Sequence, residues 1–220
     1  MNTIMPIATD GNKGIRAALR LETLTIGWMV IEAAASIGAG VVAGSVLLLS
    51  FGADSIIELI SAGVLYHRLR KEAGGAGQNE ADIEALEHRA ARIAGYLLYA
   101  LAVYVVLQSG YGLLHRHTAE TSPVGLAVAL VAALGMPVLA RAKIRVADQI
   151  GSKALRADAM ETFTCGFLSW ILLAGLAANA LLHWWWLDSV AALVLVPFLV
   201  KEGREAMAGG CRCGAAYTDD

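Results

Sequence analysis

The sequence predicts an all-α membrane protein: six transmembrane helices, built as a 3+3 inverted repeat, with N and C termini cytoplasmic. Three observations predict it. The 220 residues are 57% apolar and only 16% charged, with a mean hydropathy of +0.60, a composition suited to lipid rather than water. Apolar segments near the 17–25 residues that span a bilayer recur along most of the chain. The positive charges fall between alternate segments, nearly all on one side.

The segments are 24–43, 46–66, 91–114, 123–140, 157–182 and 185–201. The stretch 24–66 is too long for one crossing and divides at Gly38, Gly40, Gly44 and Ser45. Gly40 and Gly44 have the small-xxx-small spacing that lets helices approach closely. The last two segments divide at His183, the Trp184–Trp186 triplet and Asp188. A tryptophan triplet beside polar residues marks a membrane interface, and Asp188 is placed to cap the sixth span.

Charge orients the chain. Lys13, Arg16 and Arg20 precede the first span, and Arg68, Arg70, Lys71, Arg89 and Arg92 separate the second and third. Arg141, Lys143, Arg145, Lys153 and Arg156 separate the fourth and fifth, and Lys201, Arg204 and Arg212 follow the sixth. Of the 17 basic residues only Arg116 lies opposite. The positive-inside rule then puts both termini in the cytoplasm, which needs an even number of spans. The organisation is a cytoplasmic segment at 1–20, a membrane domain at 21–203 with a cytoplasmic loop at 67–90, and a polar, disordered tail at 204–220. Asp82 falls where the third helix begins. Residues 1–22 lack the apolar core of a signal peptide. Cys165, Cys211 and Cys213 form no disulfide framework, and the net charge of −2 gives no reason to expect a nucleic-acid partner.

Inside the spans are two ionisable pairs at i,i+4, a spacing that puts both members on one helix face. They are Asp54 with Glu58, and Glu161 with Cys165. Asp54 follows Ser45 by the same interval at which Glu161 follows Ser152, and Glu58 and Cys165 correspond likewise, at a constant offset of 107 positions. The second span then runs from outside to inside and the fifth from inside to outside, so similar segments oppose each other as in an inverted repeat. Nine to thirteen residues of helix is roughly 14–20 Å, so both pairs come near the midplane of a core about 30 Å thick. Ionisable groups there are costly and mark ion pathways. Asp158, one turn before Glu161, and Glu32, a lone acid in the first span, are accessory candidates along that path.

At these residues the chain resembles the cation diffusion facilitator (cation efflux) family, whose second and fifth spans carry a Ser-x-x-Leu-x-x-Asp-x-x-His-x-x-x-Asp type of pattern. The fifth-span copy here reads Ser152, Leu155, Asp158, Glu161, Cys165; the second-span copy reads Ser45, Leu48, Phe51, Asp54, Glu58. Trp186-Leu187-Asp188 and Lys201-Glu202-Gly203 are also similar, and the resemblance covers most of 15–207. It implies a six-span exporter of divalent metal, a homodimer, in a bacterial inner membrane. The chain departs from the pattern at the metal positions, where His and Asp give way to Asp54, Glu58, Glu161 and Cys165. It also departs in lacking the C-terminal cytoplasmic domain of many members, so a dimer would be held through membrane helices.

Three carboxylates and a thiolate suit a divalent transition metal: Zn2+ first, with Cd2+, Co2+, Mn2+ and Fe2+ also matched to this mixture of hard and soft donors. Such ligands bind metal when deprotonated. Protons therefore compete with metal, which is the minimum needed for an antiporter. The alternative is a membrane metal-binding or interaction protein on the same scaffold, without flux. An enzyme is not expected, for the chain shows no nucleophile–base set and no nucleotide loop. Residue by residue, simpler roles exist: Glu161 paired to Arg156 or Lys153, Cys165 as a small buried apolar side chain, His115 and His117 as a solvated loop, and Cys211 and Cys213 as thiols without metal.

Overall fold

The computed structural model describes residues 8–73, 80–116, 118–182 and 184–208. It contains six helices, α1 (Ala8–Ala43), α2 (Val46–Ala73), α3 (Glu80–Leu114), α4 (Pro123–Ile150), α5 (Lys153–Leu182) and α6 (Leu187–Met207), and among the described residues no strand. Five of them are long and apolar enough to cross a membrane. The sixth is shorter: Asp188 and Lys201 bound an uncharged stretch at 189–200. The outer surface of the bundle is apolar, with exposed Leu24, Val41, Leu107, Val138, Phe167 and Leu181, the reverse of a water-soluble protein.

The helices outrun the apolar segments. α4 continues ten residues beyond 140 to Ile150, α2 and α3 take up both ends of the 67–90 loop, and α6 continues into the tail as far as Met207. Backbone hydrogen bonding in a helix does not stop where apolarity stops, so charged turns extend each span beyond the lipid. α3 starts two residues before Asp82, whose side chain lies outside the described residues, as do His117, His183, Cys211 and Cys213.

The two hairpins α1–α2 and α4–α5 close in the same way. Gly44 and Gly151 turn the chain at φ 64 and φ 67, a left-handed conformation that glycine adopts without a Cβ clash. Ser45 N donates to Gly40 O at 3.0 Å and Ser152 N to Ala147 O at 3.0 Å, the bond that closes off a helix C-terminus. Each serine then caps the next helix: Ser45 Oγ accepts from Leu48 N at 3.1 Å and Ser152 Oγ from Leu155 N at 3.3 Å. The serines that open the repeat in sequence are thus helix caps. Gly44 serves the turn, while Gly40 serves packing: a Cβ there would lie 2.9 Å from Leu49 N on α2.

Corresponding helices pack against one another: α1 on α4, α2 on α5 and α3 on α6. Each pair is antiparallel. The start of α1 at Gly14 lies against the end of α4 at Ile150, and Ala43 O at the end of α1 accepts from Glu120 N just before α4. Gly175, late in α5, meets Leu47 at the start of α2. Gly95, early in α3, lies against Gly203 and Met207 at the end of α6. A central apolar core joins Leu47, Phe51, Leu98, Met136, Leu168 and Leu195 from five helices. A smaller one gathers Ala18, Leu65, Leu69, Ala147 and Leu155 at the end where the α4–α5 turn lies.

Asp188 does not cap its own helix. Position Trp186 caps α6 without a side-chain bond, and the Asp188 carboxylate crosses to α2. There Oδ1 accepts from Ser45 Oγ at 2.5 Å and Oδ2 from Val46 N at 2.8 Å and Leu47 N at 3.4 Å. A carboxylate satisfies the free N–H groups of a helix N-terminus and suits its positive dipole end. Asp188→Ala is expected to cost about 1–2 kcal/mol, the upper range for a lost cap, read as a lower thermal midpoint in detergent. An unchanged midpoint would show that the cap is redundant. Nearby, Trp184 stacks on Trp186 at 5.3 Å and Arg116 lies 5.8 Å from the Trp185 ring, an aromatic and cationic cluster of the kind found at a membrane interface.

Candidate metal site

Along α2 the buried face reads Leu47, Leu48, Phe51, Asp54, Ser55, Glu58, Ala62 and Leu65, a helical stripe in which the acids interrupt an apolar surface. Asp54 is 3% and Glu58 8% exposed. Asp54 Oδ1 and both carboxylate oxygens of Glu58 have no hydrogen-bond partner among the described residues. A buried carboxylate oxygen without a partner carries a large desolvation cost, so three of them within one helical turn mark a place where a cation is wanted.

Cys165 on α5 is 1% exposed. Glu58, Glu32 and Asp54 are the charged groups that act on its thiol, so α2 and α5 bring three of the four expected ligands, Asp54, Glu58 and Cys165, to one region. Glu161 acts electrostatically on Asp54 and Glu58 and differs from them in burial: its side chain is exposed at the surface of the helix bundle. It does not pair with Arg156, which instead holds Asp148 at 2.5 Å in an exposed ion pair. Among the described residues, no three acidic, cysteine or histidine side chains are grouped closely enough to chelate an ion in this conformation.

The first helix contributes more than its sequence suggests. Its buried stripe runs Ala18, Glu22, Thr25, Met29, Glu32 and Ser36. Glu32 is fully buried and reaches two other helices. Its Oε1 accepts from Ser55 Oγ at 2.7 Å on α2 and receives the Cys165 thiol at 3.7 Å on α5, while Oε2 accepts from Trp28 Nε1 at 2.5 Å.

Asp158 belongs to a second buried cluster. Lys143 of α4, with no exposed surface, lies 2.5 Å from Asp158 Oδ2 and 3.0 Å from Glu22 Oε2, and donates to Thr162 Oγ1 at 3.3 Å. The Glu22 contact is ionic in distance without hydrogen-bond alignment. One ammonium thus ties α1 and α5 to α4. Asp158 and Cys165 are seven residues apart on α5, about 10 Å along the axis, so the cluster lies between the ligand region and the α4–α5 turn. The sequence counts Lys143 among the basic residues between the fourth and fifth spans and does not single out Glu22, Ser55 or Trp28. The signal available was the 3.6-residue stripe: Lys143 continues the buried line Met136, Ala140, and Ala147 follows it. Glu202, half-buried on α6, acts electrostatically on Glu58 and Glu161. His115 stacks on Tyr111 at 4.0 Å and turns back to its own helix, away from these groups.

Comparison with known proteins fits this arrangement. Residues 23–208 match the model of the cation efflux transmembrane domain. The chain is 26% identical over 179 residues to an uncharacterized transporter from Synechocystis sp., a match that covers 81% of this chain and 58% of that protein; the chain therefore spans under two thirds of the length of its relative. With apolar helices, an apolar outer surface and a family match over most of its length, the chain is an integral multi-pass membrane protein and belongs to the cation efflux family.

Proposed function

We propose that this protein is a secondary transporter that exports a divalent transition metal, Zn2+ or a similar ion, from the cytoplasm in exchange for protons. The observation that carries the reading is the buried carboxylate pair Asp54 and Glu58, with Asp54 Oδ1 and both Glu58 oxygens lacking a hydrogen-bond partner among the described residues, set near the Cys165 thiol in a chain of the cation efflux family. The relative's description as a transporter supports it. Asp54, Glu58 and Cys165 take the ion inside the bundle, and Glu161, one turn before Cys165 on α5, borders the site and acts electrostatically on Asp54 and Glu58. Carboxylate and thiolate together suit borderline ions better than purely hard ones.

Exchange follows from the ligands' chemistry. Each must lose its proton to bind metal, so a site open to a more acidic side takes protons and releases the ion. Alternating access is assigned to rocking of α1–α3 against α4–α6 as inverted repeats. The matching Gly-Ser hairpin closures and the antiparallel pairing of corresponding helices support that assignment. With Arg116 alone at the opposite end, the positive-inside rule favours cytoplasmic termini. A homodimer is the assembly expected of the family.

The test is flux in proteoliposomes across a panel of Zn2+, Cd2+, Co2+, Mn2+ and Fe2+, with an internal pH dye. The expected result is metal uptake accompanied by proton movement in the opposite direction for at least one of these ions. Saturable metal binding with no flux for any ion, from folded protein, would replace transport by the scaffold reading. Flux without proton movement would remove the antiport.

A further inference from the structure

We propose that Glu32 of α1 is a direct metal ligand, so that the ion site is built by three helices rather than by α2 and α5 alone. The inference rests on the metal-site reading above and deepens it. Glu32 is the acid that physically joins the two ligand-bearing helices. One oxygen holds the Ser55 hydroxyl, one residue from Asp54, and the same oxygen lies 3.7 Å from the Cys165 sulfur. Glu161, by contrast, is exposed. A set of Glu32, Asp54, Glu58 and Cys165 keeps three carboxylates and one thiolate while replacing the accessible acid by one with no exposed surface.

The second observation is the orphaned oxygens. Asp54 Oδ1 and both Glu58 oxygens are buried without partners, and Glu32 is among the charges that act on both side chains. Once ionised, three acids around one thiol in a water-poor interior repel one another unless a cation lies among them. The carboxylate of Glu32 is also oriented, by Ser55 on one oxygen and Trp28 Nε1 on the other. Metal-ligating carboxylates are held by outer hydrogen bonds of this kind, and removing them costs about 10–100-fold in affinity. Closing on an ion requires a small approach of α1, α2 and α5, because no three donors are grouped at chelating distance in this conformation.

The experiment is titration of the purified full chain, carrying Cys211→Ser and Cys213→Ser, with Cd2+ and separately with Mn2+. Cadmium–thiolate charge-transfer absorption reports Cys165. In Glu32→Gln, Cd2+ affinity is expected to fall at least about tenfold, and Mn2+ affinity about tenfold further, because a hard ion loses more with a lost carboxylate. A purely structural acid would weaken both ions alike, and that outcome overturns the proposal. Unchanged affinities in Glu32→Gln, with binding lost in Asp54→Asn, would also overturn it while leaving the α2–α5 site intact. Absent binding in the parent protein, or binding unaffected by Asp54→Asn, would remove the site reading and this inference with it. If Glu32→Gln does not fold, Ser55→Ala decides: a loss of about tenfold for Cd2+ with a larger loss for Mn2+ supports the oriented ligand, and equal losses or unchanged affinities overturn it.

Discussion

Lys143→Met is expected to destabilise the bundle by about 3–5 kcal/mol, the cost of leaving a buried charge without its partner. Lys143 and Glu22 have no exposed side-chain surface, and Asp158 has 10%. The ammonium is the counter-charge for two carboxylates that meet from different helices. Removing it leaves two like charges close together in a poor dielectric, where their repulsion is poorly screened. Methionine keeps much of the apolar stem volume, so packing loss is the smaller part of the effect. The measurement is the thermal midpoint in detergent at one scan rate, since membrane bundles often unfold irreversibly. The triple change Glu22→Gln, Lys143→Met, Asp158→Asn should recover most of the loss, because replacing a whole buried ionic group is often close to neutral. A wild-type midpoint for Lys143→Met alone would show that the cluster does not hold these helices together.

That cluster also shows where the sequence could and could not be read. Helix number, the turn at Gly44-Ser45 and the correspondence of Ser45 with Ser152 were legible, because apolar length, glycine and serine report local physics. Helix ends were not: Lys143 looked like a loop charge because the apolar segment stops at 140, yet α4 continues to Ile150 and buries it. Whether a charge near the end of a span is solvated or paired depends on what packs against it, here Glu22 and Asp158 from other helices. Asp188 misled for the same reason. Its position at the start of α6 suggested a local cap, while the free N–H groups it satisfies belong to α2. The i,i+4 spacing placed Asp54 with Glu58 correctly on one buried face. Applied to Glu161 and Cys165 the same spacing gave a common face but not a common environment, since the boundary of the bundle runs between them.

Asp54→Asn is expected to lower metal flux by at least about 100-fold, the upper range for outer-shell losses and a floor for a direct ligand. Asparagine keeps the shape and the buried position of Asp54, which is 3% exposed, and removes only the charge. It also removes a repulsive neighbour of Glu58 and Glu32, so the variant should be at least as stable as the parent. The two effects point in opposite directions, and that makes the result informative: a transport defect in protein with an equal or higher thermal midpoint locates Asp54 in the ion path. Function-bearing charges buried in this way are held at a cost in stability that the rest of the fold offsets. Glu58→Gln should show the same opposition, because both of its oxygens lack partners. Lys143→Met should instead lose midpoint and flux together. If Asp54→Asn retained flux within a few-fold of the parent, the buried acids of α2 would be structural, and the path of the ion would have to be sought along the exposed Glu161 and the half-buried Glu202 instead.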